Sequence, residues 1–222
     1  MIPDAAALRE VLRAWPTLEH PALPGRTNHL RAGVCVPLRW RGDRLECVVT
    51  LRPTSLGRHG GEVSFPGGRP EAGEALAETA LRECEEEIGL RPVEVLGRLA
   101  SMPIYTSDWR LEPWVGVVEG EPVGSPDEVE QVLTLDVGAI LAEGSVETVT
   151  VSGRGQTFDM PIYRPGGFVM FGATALTFTE LLAAAARAAG VAPPGPRPSA
   201  LPWQHLLTHG ARAALLGGPV SG

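Results

Sequence analysis

The sequence predicts an α+β domain in which a mixed β-sheet is sandwiched between α-helices. Three observations support this fold class. Most predicted strands are short runs rich in valine and leucine, one long amphipathic helical pattern separates the early strands from the later ones, and a second long helical pattern comes near the C-terminus. With 222 residues, 44% of them apolar, the chain can bury a core without disulfide bonds or a structural metal.

Helices are predicted where apolar residues recur three or four positions apart, and strands where apolar runs lie between turn residues. Residues 41–44, Arg-Gly-Asp-Arg, are typical of a hairpin turn, and Gly89 is predicted to end the first long helix. In chain order, the predicted elements are a helix around 8–15, a loop at 20–27, strands at 33–40 and 45–51, a glycine-rich loop at 53–61, a strand at 63–65, a helix at 74–88, strands at 93–99, 111–118 and 129–135, a short helix at 137–142, strands at 146–151 and 157–162, and a helix at 173–189.

The net charge of −7 argues against a general nucleic-acid binder, because the 19 basic residues are all arginine and form no basic tail. No apolar run reaches the roughly 20 residues of a membrane span, and the N-terminus lacks the pattern of a secretory signal. Cys35, Cys47 and Cys84 stand singly, without the spacing of a disulfide framework or a zinc site. We therefore expect a cytoplasmic protein that binds neither nucleic acid nor membrane.

Three segments are predicted along the chain. Residues 1–29 form an N-terminal helix and connecting loop, residues 30–190 form the main domain, and residues 191–222 form a stiff proline-rich linker and a C-terminal tail. The tail contains an amphipathic segment at 203–216, which is expected either to dock on the domain or to mediate assembly, a homodimer included.

The predicted helix at 74–88 carries most of the net charge of the chain. Seven glutamates and two arginines lie between residues 69 and 87, a local balance of −5. Glu83, Glu86 and Glu87 are three or four residues apart, so we expect their carboxylates to converge opposite an apolar stripe. The stripe consists of Ala77, Ala80, Leu81, Cys84 and Ile88. Two interpretations remain open: a solvated helix surface, or a site where Mg²⁺ or Mn²⁺ offsets the repulsion and binds substrate phosphates.

Arg82 stands among these glutamates. It follows Glu74 and Glu78 at eight and four residues, so helical spacing places the three side chains in one row. We expect Arg82 to pair with the glutamates of that row and to orient the helix surface.

Read from Gly68 onward, the fixed residues resemble the signature motif of the Nudix hydrolases. Every polar and glycine position of that motif is present, and the one departure is Cys84, where an aliphatic residue is usual. The pattern is Gly68-x5-Glu74-x7-Arg82-Glu83-Cys84-x-Glu86-Glu87-x-Gly89-Leu90. A motif with so many fixed residues at fixed spacing is specific.

The resemblance implies a Nudix-type fold and a hydrolase that cleaves a nucleoside diphosphate linked to another group. It also implies a site for Mg²⁺ or Mn²⁺, built from carboxylates of the motif and a glycine carbonyl. The implied ligands are Glu83, Glu86, Glu87 and the carbonyl of Gly68 or Gly67. The general base is either Glu83 or a carboxylate from a later loop, for which Glu128 is the candidate. Glu128 has the alternative role of an exposed turn residue.

The stretch upstream of the motif resembles the signature of coenzyme A diphosphatases within the Nudix family. The matching positions are Leu51-Arg52-x3-Leu56-x2-His59-x-Gly61-x-Val63-Ser64-Phe65-Pro66-Gly67-Gly68-x2-Glu71. Residues 111–116 and 171–175 are similar to later parts of that subfamily. The chain departs from the signature at Pro53, Gly57 and Glu62.

Arg52, Arg58 and His59 are the candidate substrate-binding residues, because guanidinium and imidazole groups suit the phosphates of a bulky substrate. His59 has the alternative role of capping loop carbonyls. The implied substrate is coenzyme A or its oxidised or acylated forms, cleaved to adenosine 3′,5′-bisphosphate and 4′-phosphopantetheine. ADP-ribose or another nucleotide is the nearest alternative, and a non-catalytic nucleotide sensor is a different class. Aromatic residues such as Trp109 either stack on the adenine or belong to the core.

Overall fold

The computed structural model of the chain describes residues 2–55, 60–153, 156–203 and 206. Its strands are β1 (Leu30–Arg41), β2 (Arg44–Leu51), β3 (Val63–Ser64), β4 (Gly67–Gly68), β5 (Glu94–Arg98), β6 (Met102–Pro103), β7 (Trp109–Val117), β8 (Gln131–Asp136), β9 (Ser145–Gly153), β10 (Gln156–Pro161) and β11 (Gly195–Pro198). Its helices are α1 (Ala5–Arg13), α2 (Leu76–Ile88), α3 (Val137–Glu143) and α4 (Gly172–Ala189), with a 3₁₀ turn at Pro165–Gly167. The predicted helices and main strands are confirmed to within a few residues.

The larger sheet is mixed. Among the described residues it contains eight strands, with the order β3-β2-β1-β7-β5 along its path and β4, β6 and β8 paired to β1, β7 and β2. Strands β1 and β2 form the predicted hairpin, closed at the pair Arg41↔Arg44. Strands β1 and β7 run parallel, and β4 joins the other edge of β1 through the pair Gly33↔Gly68.

Helices cover both faces of this sheet. On one face, α2 packs its buried Ala80 and Cys84 against Cys35 of β1. Gly33 makes this approach possible, because a Cβ at that position would lie 2.3 Å from the carbonyl oxygen of Leu76. Alternate residues of β1 point to the other face, where α1 and α4 bury their apolar residues in the main core. The structure therefore confirms the α+β class with a sheet between helices.

A second, smaller sheet replaces part of the single sheet that the sequence predicts. Strands β9 and β10 pair with each other and, in the described residues, with β11 rather than with the central strands. Strand β11 lies in the proline-rich segment that the sequence predicts to be a linker, and it runs parallel to β9 at the sheet edge, where prolines are tolerated. Trp203, buried to 8% exposure, then packs against Met160 and Ile162. The tail thus docks on the domain up to that point, and residues 207–222 lie outside the described residues.

Other expectations concern cysteines and membranes. Cys35, Cys47 and Cys84 are free and buried. Within the described part of the chain, no helix combines the length and apolarity that crossing a bilayer would require. The three predicted domain boundaries stay predictions.

Candidate active site

The three predicted carboxylates of α2 differ in burial. Glu87 is buried at 3% exposure, Glu83 keeps 15% of its side chain exposed, and Glu86 keeps 53%. The prediction that all three converge opposite the apolar stripe is therefore wrong for Glu87. The reason is that β4 lies alongside the helix and widens its buried side, so the backbone N–H of Gly67 donates to Glu87 Oε1 at 3.0 Å.

Among the described residues, no cationic side chain bonds directly to the buried acid Glu87. Besides Gly67, the hydroxyl of Thr50 donates to its Oε2 at 3.4 Å. Burial raises the pKa of Glu87 to about 7, while the Gly67 hydrogen bond and the charge of Arg52 lower it and the charges of Glu83 and Glu128 raise it. Glu87 is thus poised to change its charge near neutral pH.

Arg82 occupies the centre of the remaining carboxylates. Its Nε donates to Glu74 Oε1 at 2.9 Å, and its Nη1 donates to Glu83 Oε1 at 2.9 Å and to Glu86 Oε2 at 2.8 Å. These contacts include the predicted pair with Glu74, and the Arg82 hydrogen bond lowers the pKa of Glu74 to about 2. Glu78 is not part of this cluster, because its carboxylate instead accepts from the backbone N–H of Ala75 at the helix start.

Glu83 lies directly against the glycine pair of β4. A Cβ at Gly68 would lie 2.2 Å from Glu83 Oε1, so only glycine leaves room for the carboxylate. Burial raises the pKa of Glu83 even though Arg82 counteracts it, and the charges of Glu86 and Glu128 add to the rise. The carboxylate is therefore partly desolvated beside the backbone of Gly68.

The chemistry of these side chains fits a divalent cation. Glu83, Glu86 and Glu87 supply hard carboxylate oxygens from α2. Repulsion from neighbouring carboxylates adds to the effect of burial in raising the pKa values of Glu83 and Glu87. In the arrangement described for residues 2–55, 60–153 and 156–203, however, no three His, Cys, Asp or Glu side chains are grouped so that they could hold an ion. Arg82 is the cation that neutralises Glu83 and Glu86 here.

Two further predicted residues lie near this cluster. Glu128 is exposed in its turn, as its alternative interpretation requires, yet its charge still acts on Glu83 and Glu87. Arg52 follows β2 directly, and its buried Nε has no hydrogen-bond acceptor among the described residues. The predicted residues Arg58 and His59 lie outside the described residues.

Comparison with known proteins identifies the family of the chain. Residues 29–148 match the NUDIX domain family. The chain belongs to that family. It is 35% identical over 143 residues to Nudix hydrolase 3 of Caenorhabditis elegans. The matched segment covers 61% of this chain and 60% of that protein. The peroxisomal coenzyme A diphosphatase NUDT7 of Mus musculus is 38% identical over 115 residues, or 48% of each chain.

A bacterial relative is matched over more of its length. The Nudix hydrolase NudL of Citrobacter koseri, described as uncharacterized, is 31% identical over 170 residues, 74% of this chain and 88% of the relative. This Nudix chain therefore spans most of the bacterial relative, but only 60% and 48% of the worm and mouse proteins.

Sequence reasoning missed two contacts of the Nudix site. Thr50 reaches Glu87 from β2, and no motif position pointed to it. Arg69 places its guanidinium carbon 4.8 Å from the ring centre of Trp109. The sequence had indicated Trp109 as a residue that either stacks on the adenine or belongs to the core, but nothing in it indicated Arg69 as the partner of Trp109.

Proposed function

We propose that this Nudix protein hydrolyses the diphosphate of coenzyme A or of a coenzyme A derivative with the help of Mg²⁺ or Mn²⁺. Water forms a new bond to one phosphorus, the bridging P–O bond breaks, and adenosine 3′,5′-bisphosphate and 4′-phosphopantetheine leave. The observation that carries the proposal is the pair of desolvated carboxylates, Glu83 and Glu87, held against the glycines of β4. Such groups suit a site that receives a cation and phosphates.

The choice of coenzyme A has separate support. The stretch from Leu51 to Glu71 resembles the coenzyme A diphosphatase signature, and the mouse relative carries that activity in its name. The charge of Arg52 acts on Glu87, and its buried Nε has no hydrogen-bond acceptor among the described residues, so a phosphate oxygen suits it as an acceptor. A reducing cytoplasm, proposed from three unpaired cysteines, is consistent with such a substrate.

Each residue of the site has a distinct part in the proposed mechanism. Glu83, Glu86 and Glu87, with the carbonyl of Gly68, would hold the divalent cation. When bound, the cation would neutralise the diphosphate and lower the pKa of the attacking water. Arg82 orients Glu83 and Glu86 through its hydrogen bonds to both.

The remaining requirement is a proton acceptor for the attacking water. Glu83 and Glu128 are the two candidates, since Glu83 lies against Gly68 and the charge of Glu128 reaches it. In-line attack needs the water opposite the leaving phosphate, with the proton acceptor within hydrogen-bond reach of that water. Arg52 would bind the phosphate that departs or the one that remains.

A product assay tests the proposal. Purified protein with Mg²⁺ or Mn²⁺ is given coenzyme A, ADP-ribose, a diadenosine polyphosphate and nucleoside triphosphates in parallel, and the products are separated by chromatography. Fastest release of adenosine 3′,5′-bisphosphate from coenzyme A is the expected result. Faster turnover of ADP-ribose would reject coenzyme A as the substrate but would leave the proposed diphosphate hydrolysis in place. No turnover of any compound would favour the non-catalytic sensor.

A further inference from the structure

Arg69 connects the carboxylate cluster to an aromatic side chain from another part of the sheet. Its backbone belongs to the cluster, because it directly follows Gly68 and its carbonyl accepts from Arg82 Nη2 at 3.1 Å. Its side chain leaves the cluster and lies over Trp109 of β7, with 4.8 Å between the guanidinium carbon and the ring centre. A planar cation is thus stacked on an indole one residue beyond the glycine pair.

The backbone at Trp109, the first residue of β7, is held by hydrogen bonds from buried and loop residues. The buried side chain of Asn28 places its Nδ2 within 3.1 Å of three carbonyl oxygens, those of Ile104, Ser107 and Trp109. The carboxylate of Asp108 accepts from the backbone N–H of Thr27 at 2.8 Å. These bonds fix the backbone of the loop that precedes Trp109 and so the point from which the indole projects.

The guanidinium of Arg69 is also available to a ligand. Arg69 is exposed, and among the residues that the structure describes it has no carboxylate partner. By contrast, Arg82 is bonded to Glu74, Glu83 and Glu86. Because the Arg69 guanidinium is exposed and has Trp109 on one side, we expect a ligand to approach it from the side away from the indole.

We propose that the Arg69–Trp109 stack is the binding site for the nucleobase of the substrate. The base would lie on the side of the guanidinium away from the indole, because a guanidinium stacks on aromatic rings and this one already lies over Trp109. This inference rests on the proposed function and specifies which part of the substrate contributes to recognition. A diphosphate at Glu83 and Glu87 would then have its nucleoside directed toward β7.

Two ligands that share a diphosphate test this site. Binding of adenosine diphosphate and of pyrophosphate is measured by calorimetry with Mg²⁺ present, because the proposed site holds the diphosphate through the cation, and both ligands are used as methylene-bridged analogues so that no hydrolysis occurs. Stacking on one base is worth about 1–3 kcal/mol, so Arg69→Ala is expected to weaken binding of adenosine diphosphate by roughly tenfold. Binding of pyrophosphate is expected to stay unchanged.

Three further variants complete the experiment. Arg69→Lys keeps the positive charge but lacks the planar guanidinium. It should therefore weaken the binding of adenosine diphosphate as Arg69→Ala does. Trp109→Leu removes the indole that supports the guanidinium and should have the same selective effect on binding. Arg13→Ala is the control: Arg13 is an exposed arginine paired with Glu10 on α1, and its removal should change the binding of neither ligand.

Each other outcome overturns the inference. Equal weakening of both ligands in Arg69→Ala would assign a phosphate contact instead of a base site. Unchanged binding of adenosine diphosphate in Arg69→Ala, or wild-type protein that does not bind it, would also overturn the base site. The product assay on wild-type protein decides the proposed hydrolysis independently of these results.

Discussion

Glu87 and Glu112 are both buried glutamates, but their surroundings are opposite. Glu112, at 0% exposure on β7, forms ion pairs with Arg31 and with Arg98, the latter at 3.3 Å. Glu87, at 3% exposure on α2, has no ion-pair partner among the described residues and is bonded only by Gly67 and Thr50. Its pKa is raised to about 7 as a result of burial.

This difference distinguishes a buried carboxylate that stabilises the fold from one that is suited to bind a ligand. A buried carboxylate is tolerated when arginines neutralise it, and removing its charge then destabilises the fold. A buried carboxylate without such a partner lowers stability, and it is typical of sites where a proton or a cation arrives. We therefore assign Glu112 to the fold and Glu87 to the proposed reaction.

The largest expected effect is on turnover by Glu87→Gln. The amide keeps the size of the side chain and an acceptor for Gly67 but removes the charge, so kcat should fall by about a thousandfold. The measurement is kcat for coenzyme A at saturating Mg²⁺, with circular dichroism to verify folding. A kcat within threefold of wild type would remove Glu87 from the site.

The next effect is on stability and concerns Glu112→Gln. Loss of this charge leaves Arg31 and Arg98 without their shared partner, which should lower the free energy of unfolding by about 3 kcal/mol. Urea unfolding at pH 7 measures it. Glu19→Gln is the matched control, because Glu19 binds the same Arg31 at 2.9 Å but is 55% exposed, so its loss should lower the free energy of unfolding far less than the loss of Glu112. Equal losses of unfolding free energy in the two variants would contradict the assignment of a special stabilising role to Glu112.

A smaller effect is expected in the pH dependence of stability. Because the folded-state pKa of Glu87 is raised to about 7, its contribution to stability is fully present below its unfolded pKa and is lost as pH rises through 7. Glu87→Gln does not titrate, so in chelator it should gain about 2 kcal/mol over wild type between pH 5 and pH 8. Urea unfolding at both pH values tests this, and parallel pH profiles would contradict the unpaired state of Glu87.

The smallest effect is expected for an exposed ion pair that joins the end of α2 to the residues after it. Arg91 and Glu85 pair at 2.9 Å with 53% of each side chain exposed. Arg91→Ala should change the free energy of unfolding by less than about 0.5 kcal/mol and leave kcat unchanged. A larger loss, measured in the same urea titrations, would mean that exposed pairs also contribute substantially here.

Local patterns predicted much of this fold. The apolar spacing and Gly89 predicted a helix at 74–88, and α2 runs from Leu76 to Ile88. The turn residues at 41–44 likewise predicted the β1–β2 hairpin. The short strand β4 and the pairing of β11 with β9 were not predictable, because neither Gly67–Gly68 nor a proline-rich segment has a strand pattern and both pairings join distant residues.

The site divides in the same way. Helical spacing predicted that Arg82 pairs with Glu74, and the pair forms although Glu74 lies two residues before α2 begins. It could not predict the burial of Glu87, which depends on Gly67 approaching from β4, nor the stack of Arg69 on Trp109, forty residues later in the chain. Contacts within one element can be read from periodicity, whereas contacts between elements require the fold.

The most direct test of the distinction between Glu87 and Glu112 is thermal unfolding with and without Mn²⁺. A ligand that binds only the folded state raises the midpoint temperature in proportion to its binding free energy. Wild type and Glu112→Gln should gain the same increment from saturating Mn²⁺, although the variant starts lower, and Glu87→Gln should gain little or none. An increment in Glu87→Gln equal to that of wild type would contradict the assignment of Glu87 to a metal-dependent site.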